Sequence, residues 1–253
     1  SSAVKSARQD MDFLRAEREE IAGQIKEYRN NMNRKTSLDI KKTASIAMLS
    51  ALAYVLMLVG RVPMVLFLKY DPKDIIIAIG GFIWGPFASF AVSVIVGFVE
   101  MITVSDDGII GCIMNILSTC TFACTAAFIY KKFHTIYGAF AGLLSGVLAM
   151  TAIMLLWNYV MTPIYMGLPR ADVAAMLIPI FLPFNMIKGG INMALTLLLY
   201  KPIVTALRKA KVIAPSTTSN ANKSKANTFG IAVIAIVILA TCVLIALSMN
   251  GVI

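Results

Sequence analysis

Three polar residues near the end of the chain share a helical spacing within an apolar run. Asn185, Lys188 and Asn192 stand at i, i+3 and i+7, so one face of a helix carries all three. A charged side chain inside a membrane costs at least ~2.5 kcal/mol, and such residues usually face a cavity, a partner or a ligand. The stripe therefore predicts one wall of a small-molecule site. The alternative is a lysine whose long stem carries its charge to the membrane interface.

A second group of candidate ligand contacts ends the fifth predicted helix. Trp157, Asn158 and Tyr159 are consecutive, and Tyr165 follows nearby. Trp and Tyr also populate the membrane interface for purely physical reasons, which do not explain an amide at Asn158. Amides beside Lys188 would offer donors and acceptors to a flat heteroaromatic ligand, while the aromatic rings stack on its faces.

The acidic residues have less certain roles. Glu100 is the only carboxylate inside the apolar body, and it either lines the cavity or reaches the interface. Asp71 and Asp74 flank a Pro-Lys pair, a pattern that favours a helix cap because proline suits the first helical position. The preceding segment, 62–72, is apolar but too short to span a membrane, and it could fold over the mouth of a site as a lid.

The composition indicates an integral membrane protein. Hydrophobic residues make up 58% of the chain and charged residues 14%, and the mean hydropathy is +0.79. The apolar runs long enough to cross a bilayer are 43–60, 87–104, 109–130, 137–160 and 229–249. The stretch 74–84 is short and glycine-rich, and 174–200 is broken by Pro179 and Pro183. Because the residue before a proline avoids helical geometry, the last core helix is predicted to start near Phe184.

This pattern predicts an all-α membrane protein, with a six-helix core, a seventh C-terminal transmembrane helix and an N-terminal amphipathic helix. The predicted divisions are a cytoplasmic helix at 1–40, a substrate-binding membrane core at 41–210, a flexible Ser/Asn/Lys-rich linker at 211–228, and an extra transmembrane helix at 229–253.

The positive charges predict the orientation of this core. Ten Lys and Arg residues precede residue 43, two follow the fourth run as Lys131 and Lys132, and six lie in 201–225. Only four flank the other ends of the helices, namely Arg61, Lys69, Lys73 and Arg170. Positive residues favour the cytoplasm, so the core N-terminus is predicted inside and the chain end after the seventh helix outside. The net charge of +10 is explained by this topology and by anionic lipid, so it does not indicate nucleic-acid binding.

The first forty residues carry an apolar heptad pattern. Its a and d positions are Val4, Met11, Leu14, Ile21, Ile25, Tyr28 and Met32, with Arg18 at one a position. Self-association, docking on a partner, binding to the membrane surface and simple solvation all remain open for this helix.

The residue types argue against an enzyme. The four cysteines fall in apolar helices, where a thiol behaves as a small hydrophobe, and the sole histidine, His134, is placed in a cytoplasmic turn. No paired carboxylates or nucleophile motif accompany them, so neither catalysis nor a bound metal or cofactor is expected.

Several motifs over residues 42–210 resemble a known family, the S components of energy-coupling factor (ECF) transporters, and within it the riboflavin-specific members. The motifs are Ala47-xxx-Ala51, Tyr70-Asp71-Pro72-Lys73-Asp74, Gly80-Gly81-Phe82-Ile83-Trp84-Gly85-Pro86, Asn158-Tyr159, Leu182-Pro183-Phe184-Asn185-Met186-Ile187-Lys188-Gly189, and Leu199-Tyr200-Lys201-Pro202. Asn-Tyr combined with Phe-Asn-x-x-Lys-Gly resembles the flavin-binding members, whereas the alanine pair marks the broader family.

The resemblance implies six helices, a vitamin pocket near the outer surface and no ATPase of the protein's own. It implies that Asn158, Asn185 and Lys188 contact the isoalloxazine ring of riboflavin. It also implies that the Ala47/Ala51 face meets a transmembrane T subunit, which works with two ATP-hydrolysing subunits. Two alternatives are an S component for folate, pantothenate or thiamin, and a membrane-anchored assembly protein whose polar stripe only joins helices.

Overall fold

A computed structural model describes residues 2–65, 68–104, 108–209 and 224–249. In chain order its elements are α1 (Ser2–Gly60), β1 (Val62–Val65), β2 (Leu68–Tyr70), α2 (Lys73–Trp84), α3 (Pro86–Thr103), α4 (Gly108–Phe133), α5 (Ile136–Met166), α6 (Arg170–Met176), a π-helical turn (Leu177–Phe181), α7 (Leu182–Lys209) and α8 (Ser224–Met249). The chain divides into two compact units, Ser1–Ala44 and Ser45–Ile253. The last turns of α1 therefore belong to the second unit.

Six helical stretches in the described residues are long and apolar enough to cross a membrane. They are Asp39–Gly60, Pro86–Thr103, Gly108–Phe133, Ile136–Met166, Arg170–Lys209 and Gly230–Ser248. Each has at least 18 residues, enough to cross a bilayer, so the protein is a multi-pass membrane protein.

Helix α2 lies at the centre of the second unit. It has only 12 residues, and every residue from Lys73 to Phe82 is buried. A helix that is apolar all round must be surrounded by other elements, and α2 contacts α3, α4 and α7. Its first turn therefore carries Lys73 and Asp74 into the protein interior.

The segment before α2 forms a β-hairpin, which departs from the all-α prediction. Strands β1 and β2 pair antiparallel, with Val62 opposite Tyr70. Valine and tyrosine are enriched in strands, which is consistent with a short extended ribbon here. The side chains of Met64 and Leu68 are buried against Phe181 and Phe184.

The prolines near residue 180 change the type of helix and do not break it. Helix α7 begins at Leu182, within two residues of the start predicted near Phe184, but the helical path from Arg170 to Lys209 is continuous. Pro179 falls within the π-helical turn, whose altered hydrogen bonding accommodates a missing N–H. Pro183 is the second residue of α7 and follows directly after this turn, so both prolines lie where the helical hydrogen-bond pattern changes.

Helices α4 and α5 pack at backbone distance. A Cβ added to Gly142 would lie 2.7 Å from the carbonyl oxygen of Ala126, and one added to Gly146 would lie 2.6 Å from that of Phe122. Small residues in membrane helices allow this close approach, and here the absence of a side chain is required at both positions.

The two predicted extensions are both helical where the structure describes them. The first unit is a single helical segment, the start of α1. Helix α8 begins at Ser224, five residues before the predicted start at 229, so that part of the predicted linker is helical. The remainder of the predicted linker, at 211–223, lies outside the described residues. A Cβ on Gly190 would lie 2.7 Å from Cys242 Sγ, so α8 packs closely against α7.

Candidate functional site

Asn185 and Lys188 line a cavity in the second unit, as the helical spacing predicted. Both side chains are buried on α7, and Asn185 Nδ2 donates to the carbonyl oxygen of Phe181 at 2.8 Å. The side-chain oxygen of Asn185 can still accept a hydrogen bond, and the second hydrogen of Nδ2 can donate one. Asn192 is also buried but is not among the residues that line the cavity.

The cavity wall is mainly polar. Its polar residues are Arg61, Lys69, Asp71, Asn115, Ser118, Asn158, Asn185 and Lys188, and its apolar residues are Leu68, Met114, Met154 and Phe184. The hairpin thus contributes Leu68 and Lys69 at the position predicted for a lid. The cavity measures about 40 Å³. Small-molecule sites measure roughly 300–1,000 Å³, so a vitamin-sized ligand requires the walls to move apart.

Of the three consecutive candidates on α5, only Asn158 reaches this cavity. Its side chain is 1% exposed, Nδ2 donates to the carbonyl oxygen of Met154 at 2.7 Å, and Oδ1 accepts from Thr162 at 3.1 Å. Trp157 instead lines an adjoining cavity of about 20 Å³, together with Tyr165. Tyr159 is 41% exposed and lies on neither wall, because consecutive residues of a helix point about 100° apart.

Asp74 holds the inner end of the polar stripe. Its carboxylate accepts from Thr119 Oγ1 at 2.6 Å and from Asn192 Nδ2 at 3.0 Å, and it lies 3.7 Å from Lys188 Nζ. The hydroxyl of Tyr70 donates to Asn192 Oδ1 at 2.9 Å. Lys188 is therefore paired with a buried carboxylate, which explains how its charge is stabilised inside the protein. The side chain does not extend to the membrane interface, as the alternative interpretation required.

A second charge cluster joins the end of α1, the hairpin, α2 and α3. Arg61 Nε donates to Asp71 Oδ1 at 2.7 Å, and Lys73 Nζ lies 3.3 Å from Asp71 Oδ2. Arg61 and Lys73 also each pair with Glu100. Asn115 Nδ2 donates to Glu100 Oε1 at 3.0 Å, which connects the cluster to α4. Two cations and two carboxylates balance within this cluster.

The geometry revises both interpretations of the acidic residues. Glu100 is 1% exposed and neither reaches the interface nor lines the cavity, because it lies behind Arg61 and Asn115. The cap prediction for Asp71 and Asp74 is wrong. The first turn of α2 has no side-chain cap, and both carboxylates instead bind cations or polar groups from other elements.

The hairpin end of the cluster lies outside the membrane-spanning segments, and its charges stabilise one another. Burial alone would raise the pKa of Asp71, but the charge of Lys73 and the hydrogen bond from Arg61 outweigh it and lower the pKa from 3.8 to about 2. Burial likewise opposes ionisation of Arg61, yet Asp71 and Glu100 raise its pKa. The stabilisation from Asp71 is complete above its ordinary pKa and is lost only as the pH falls towards 2.

Sequence reasoning missed most of the charged wall. The charge pattern predicts Arg61 and Lys73 only at the outer ends of helices, and Asn115 lies within the apolar run 109–130, so no contact of these residues with a carboxylate was predicted. One feature of the sequence could have predicted this wall. Three of the residues 71–74 are charged, and they lie at the start of a helix whose remaining residues are apolar. Arg61 and Lys73 belong to the charge cluster. Of the four positive residues at the predicted outer ends of the helices, this leaves Lys69 and Arg170 outside the cluster.

Ala47 and Ala51 lie on an exposed face of α1 in the second unit. Neighbouring Met48 and Leu52 are also exposed, at 38% and 44%. The small pair is therefore available at the surface rather than enclosed by the described residues.

Comparison with known proteins places the chain. Residues 41–200 match the family described as "ECF transporter, substrate-specific component". The riboflavin transporter FmnP of Bacillus subtilis (strain 168) is 32% identical over 191 residues, covering 69% of this chain and all of the relative. The riboflavin transporter RibU of Staphylococcus aureus (strain TCH60) is 28% identical over 177 residues, covering 67% and 93%.

A solved structure, described as the S component of a bacterial ECF transporter, superposes with a TM-score of 0.57. It is 28% identical, and the match covers 67% of this chain and 99% of that one. The family match, the nearly complete coverage of these relatives and the shared helical core all agree. The chain belongs to the family of substrate-specific (S) components of ECF transporters.

Proposed function

We propose that the protein is the high-affinity riboflavin-binding S component of an ECF vitamin importer. The observation that carries the proposal is the convergence of Asn158, Asn185 and Lys188 on one buried cavity, in a chain similar to two riboflavin transporters. An isoalloxazine ring carries carbonyl oxygens, ring nitrogens and an N–H group along one edge. Two amides and an ammonium match those groups, because amides both donate and accept while the ammonium donates.

In this proposal Lys188 donates to a flavin carbonyl oxygen and Asp74 holds the ammonium in place. The 3.7 Å separation of Lys188 Nζ from Asp74 leaves the ammonium able to turn towards the cavity. Trp157 lines the adjoining cavity, and it would contact the ligand if that cavity and the main cavity became continuous. Met114 belongs to both walls, and its flexible side chain can change shape to join them.

Widening of the cavity is the step that admits the ligand. The hairpin supplies Leu68 and Lys69 to the wall. It contacts the helices through side chains, whereas α4 and α5 contact each other at backbone distance, so the hairpin is the element that opens. Loops and lids that move are commonly the least constrained elements of a fold.

The transport step requires partners. The protein has no ATPase of its own in this proposal. Its Ala47/Ala51 face docks on a transmembrane T subunit, and two further subunits hydrolyse ATP to topple the loaded protein in the membrane. The core N-terminus lies in the cytoplasm, the cavity opens outward, and α8 crosses the membrane as a seventh helix with its end outside. Residues 1–40 and 229–253 are additions to the 41–210 core.

Ligand titration of the purified full-length protein tests the assignment. Riboflavin fluorescence should be quenched with saturation at one ligand per chain, and folate, pantothenate and thiamin should not compete. Competition by one of those vitamins at lower concentration would assign a different S component. A monodisperse protein that binds none of them would favour the assembly-protein alternative.

Docking can be tested separately from recognition. Replacing both Ala47 and Ala51 with Trp should abolish riboflavin uptake in cells that supply the partner subunits, because bulky side chains block close helix approach. Flavin binding by the isolated variant should be unchanged. The double replacement of Met48 and Leu52 by Trp, on the neighbouring exposed face, is the matched control. Equal loss of uptake in both variants would remove the alanine face as the docking surface.

A further inference from the structure

The first unit presents an apolar stripe along a single helix. Its members occupy the a and d positions of the heptad and are 49–72% exposed: Met11, Leu14, Ile21, Ile25, Tyr28 and Met32. We call these six residues the heptad stripe. One helix cannot bury its own apolar face, so the stripe is a surface for pairing with another helix.

We propose that the heptad stripe pairs with the same stripe of a second copy of this chain, as a parallel two-stranded coiled coil. The inference goes beyond vitamin binding and does not depend on it. The charged residues that flank the stripe favour a second copy as the partner and a parallel orientation of the two helices.

The flanking positions carry opposite character on the two sides. Within residues 11–36, the e positions hold Arg15, Ala22, Arg29 and Thr36, and the g positions hold Glu17, Gln24 and Asn31. In a parallel pair each g residue lies near the e residue five positions later in the other helix. Gln24 then meets the partner's Arg29, and Glu17 meets the partner's Ala22, so neither contact is repulsive. An antiparallel pair sets e beside e, and when the two Ala22 residues lie opposite each other, Arg15 of each copy faces Arg29 of the other.

Arg18 also fits a parallel pair. An a residue inserts between four residues of the facing helix, and one of these is the preceding g residue. Glu17 of one copy therefore lies beside Arg18 of the other and neutralises it. A single polar residue at an a position fixes register and oligomeric state but lowers stability. The pair is consequently expected to be weak for isolated tails.

Membrane attachment compensates for that weakness. The tail continues directly into the span Asp39–Gly60, so two copies in one membrane hold their tails at high effective concentration. Both tails also end at the same membrane face. A parallel pair brings those ends together, whereas an antiparallel pair over residues 11–32 would separate them by about 32 Å at 1.5 Å per residue.

Cysteine crosslinking of the full-length protein in native membranes tests this arrangement. Single variants Leu14→Cys and Tyr28→Cys place thiols at d positions near the two ends of the stripe. Gly23→Cys, at an f position where nothing lies within 4 Å of an added Cβ, is the control. Mild oxidation should give same-residue dimers at both d positions, at least fivefold above Gly23→Cys and above the background of the native cysteines.

Charge exchange tests the reason for the pairing. Gln24→Glu with Arg29→Glu sets two glutamates against each other at the contact between positions 24 and 29, and Gln24→Lys sets a lysine against Arg29 of the other copy. In the Leu14→Cys background each altered protein alone should lose most of its dimer, and coexpression of the two should restore it. The variant Ile21→Glu with Ile25→Glu should abolish it.

The possible results are decisive. Dimers no more frequent at Leu14→Cys and Tyr28→Cys than at Gly23→Cys would overturn the proposal, as would a crosslinked product containing a different protein. Crosslinking at only one of the two d positions would overturn the parallel register. Dimers that survive Ile21→Glu with Ile25→Glu would place the contact outside the stripe and overturn it equally.

Discussion

The two sides of the cavity are held by different forces. On one side, α4 and α5 approach at backbone distance, as at Gly146, and α7 packs closely on α5, since a Cβ on Gly189 would lie 2.7 Å from Val147 Cγ1. On the other side, the end of α1, the hairpin and α2 are joined through the side chains of Arg61 and Asp71 and their neighbours. Close packing fixes Asn158, Asn185 and Lys188 in place, because a packed interface has no room to deform. Side-chain ion pairs allow the opposite wall to shift, which a cavity of about 40 Å³ needs in order to admit a vitamin.

The largest effect is expected from filling the α4–α5 interface. Replacing Gly142 and Gly146 by Val should prevent recovery of monodisperse protein, because each Cβ would meet a backbone oxygen within 2.7 Å. Overpacking typically costs ~1–3 kcal/mol per site and more where the neighbour is backbone. The control is Gly230→Val, where nothing lies within 4 Å. Size-exclusion chromatography and thermal melting measure the outcome. A normally folded double variant would contradict the rigid-side interpretation.

The next largest effect is expected in the charged wall. Glu100→Gln leaves Arg61 and Lys73 with only Asp71 as a carboxylate partner in their cluster. Breaking a buried ion pair from one side costs about 3 kcal/mol or more, so the melting temperature should fall clearly while the helices still assemble.

Restoring charge balance provides the control for that variant. Adding Lys73→Met to Glu100→Gln removes the surplus cation, and it should recover part of the lost stability because paired buried charges can be replaced by neutral side chains at little cost. If the double variant is less stable than Glu100→Gln alone, the charges do not act as a balanced set.

Lys188 connects the two sides and should affect ligand binding more than folding. Lys188→Met keeps the length of the side chain but removes the ammonium. A charge-assisted hydrogen bond is worth ~1.5–3 kcal/mol, so riboflavin affinity should fall about 10- to 100-fold. Lys201→Met, an exposed lysine on the same helix, is the matched control. Unchanged affinity, measured by fluorescence titration, would remove Lys188 from the binding site.

The smallest effect is expected outside both walls. A truncated protein of residues 40–212 should bind riboflavin within about threefold of the full chain, a difference below ~0.7 kcal/mol. Neither extension contributes a residue to the described cavity wall. Loss of affinity well beyond threefold in a monodisperse truncated protein would mean that α8, which packs against α7 at Gly190, helps to shape the site.

The sequence by itself determined the membrane class and placed Asn185 and Lys188 on one face of a helix. Hydropathy is a local property, so five of the six spans follow from the apolar runs, and the sixth, Arg170–Lys209, contains the proline-broken run 174–200. The short run 74–84 lies in α2, which is not among these spans. The spacing of Asn185 and Lys188 is set by helix geometry alone, and both line the cavity as that spacing predicts. The family follows from short motifs, and the match over 41–200 confirms it.

Only the tertiary structure decided how the charges combine. Arg61 and Glu100 are 39 positions apart, and Asp74 and Asn192 are 118 apart, so no local pattern predicts that they meet. The packing and rotation of the helices also decide that Tyr159 does not line the cavity. They likewise decide that Asp71 forms an ion pair and does not cap a helix. Burial forces each charge to find a partner, but which partner it finds is set by the neighbours that the fold supplies.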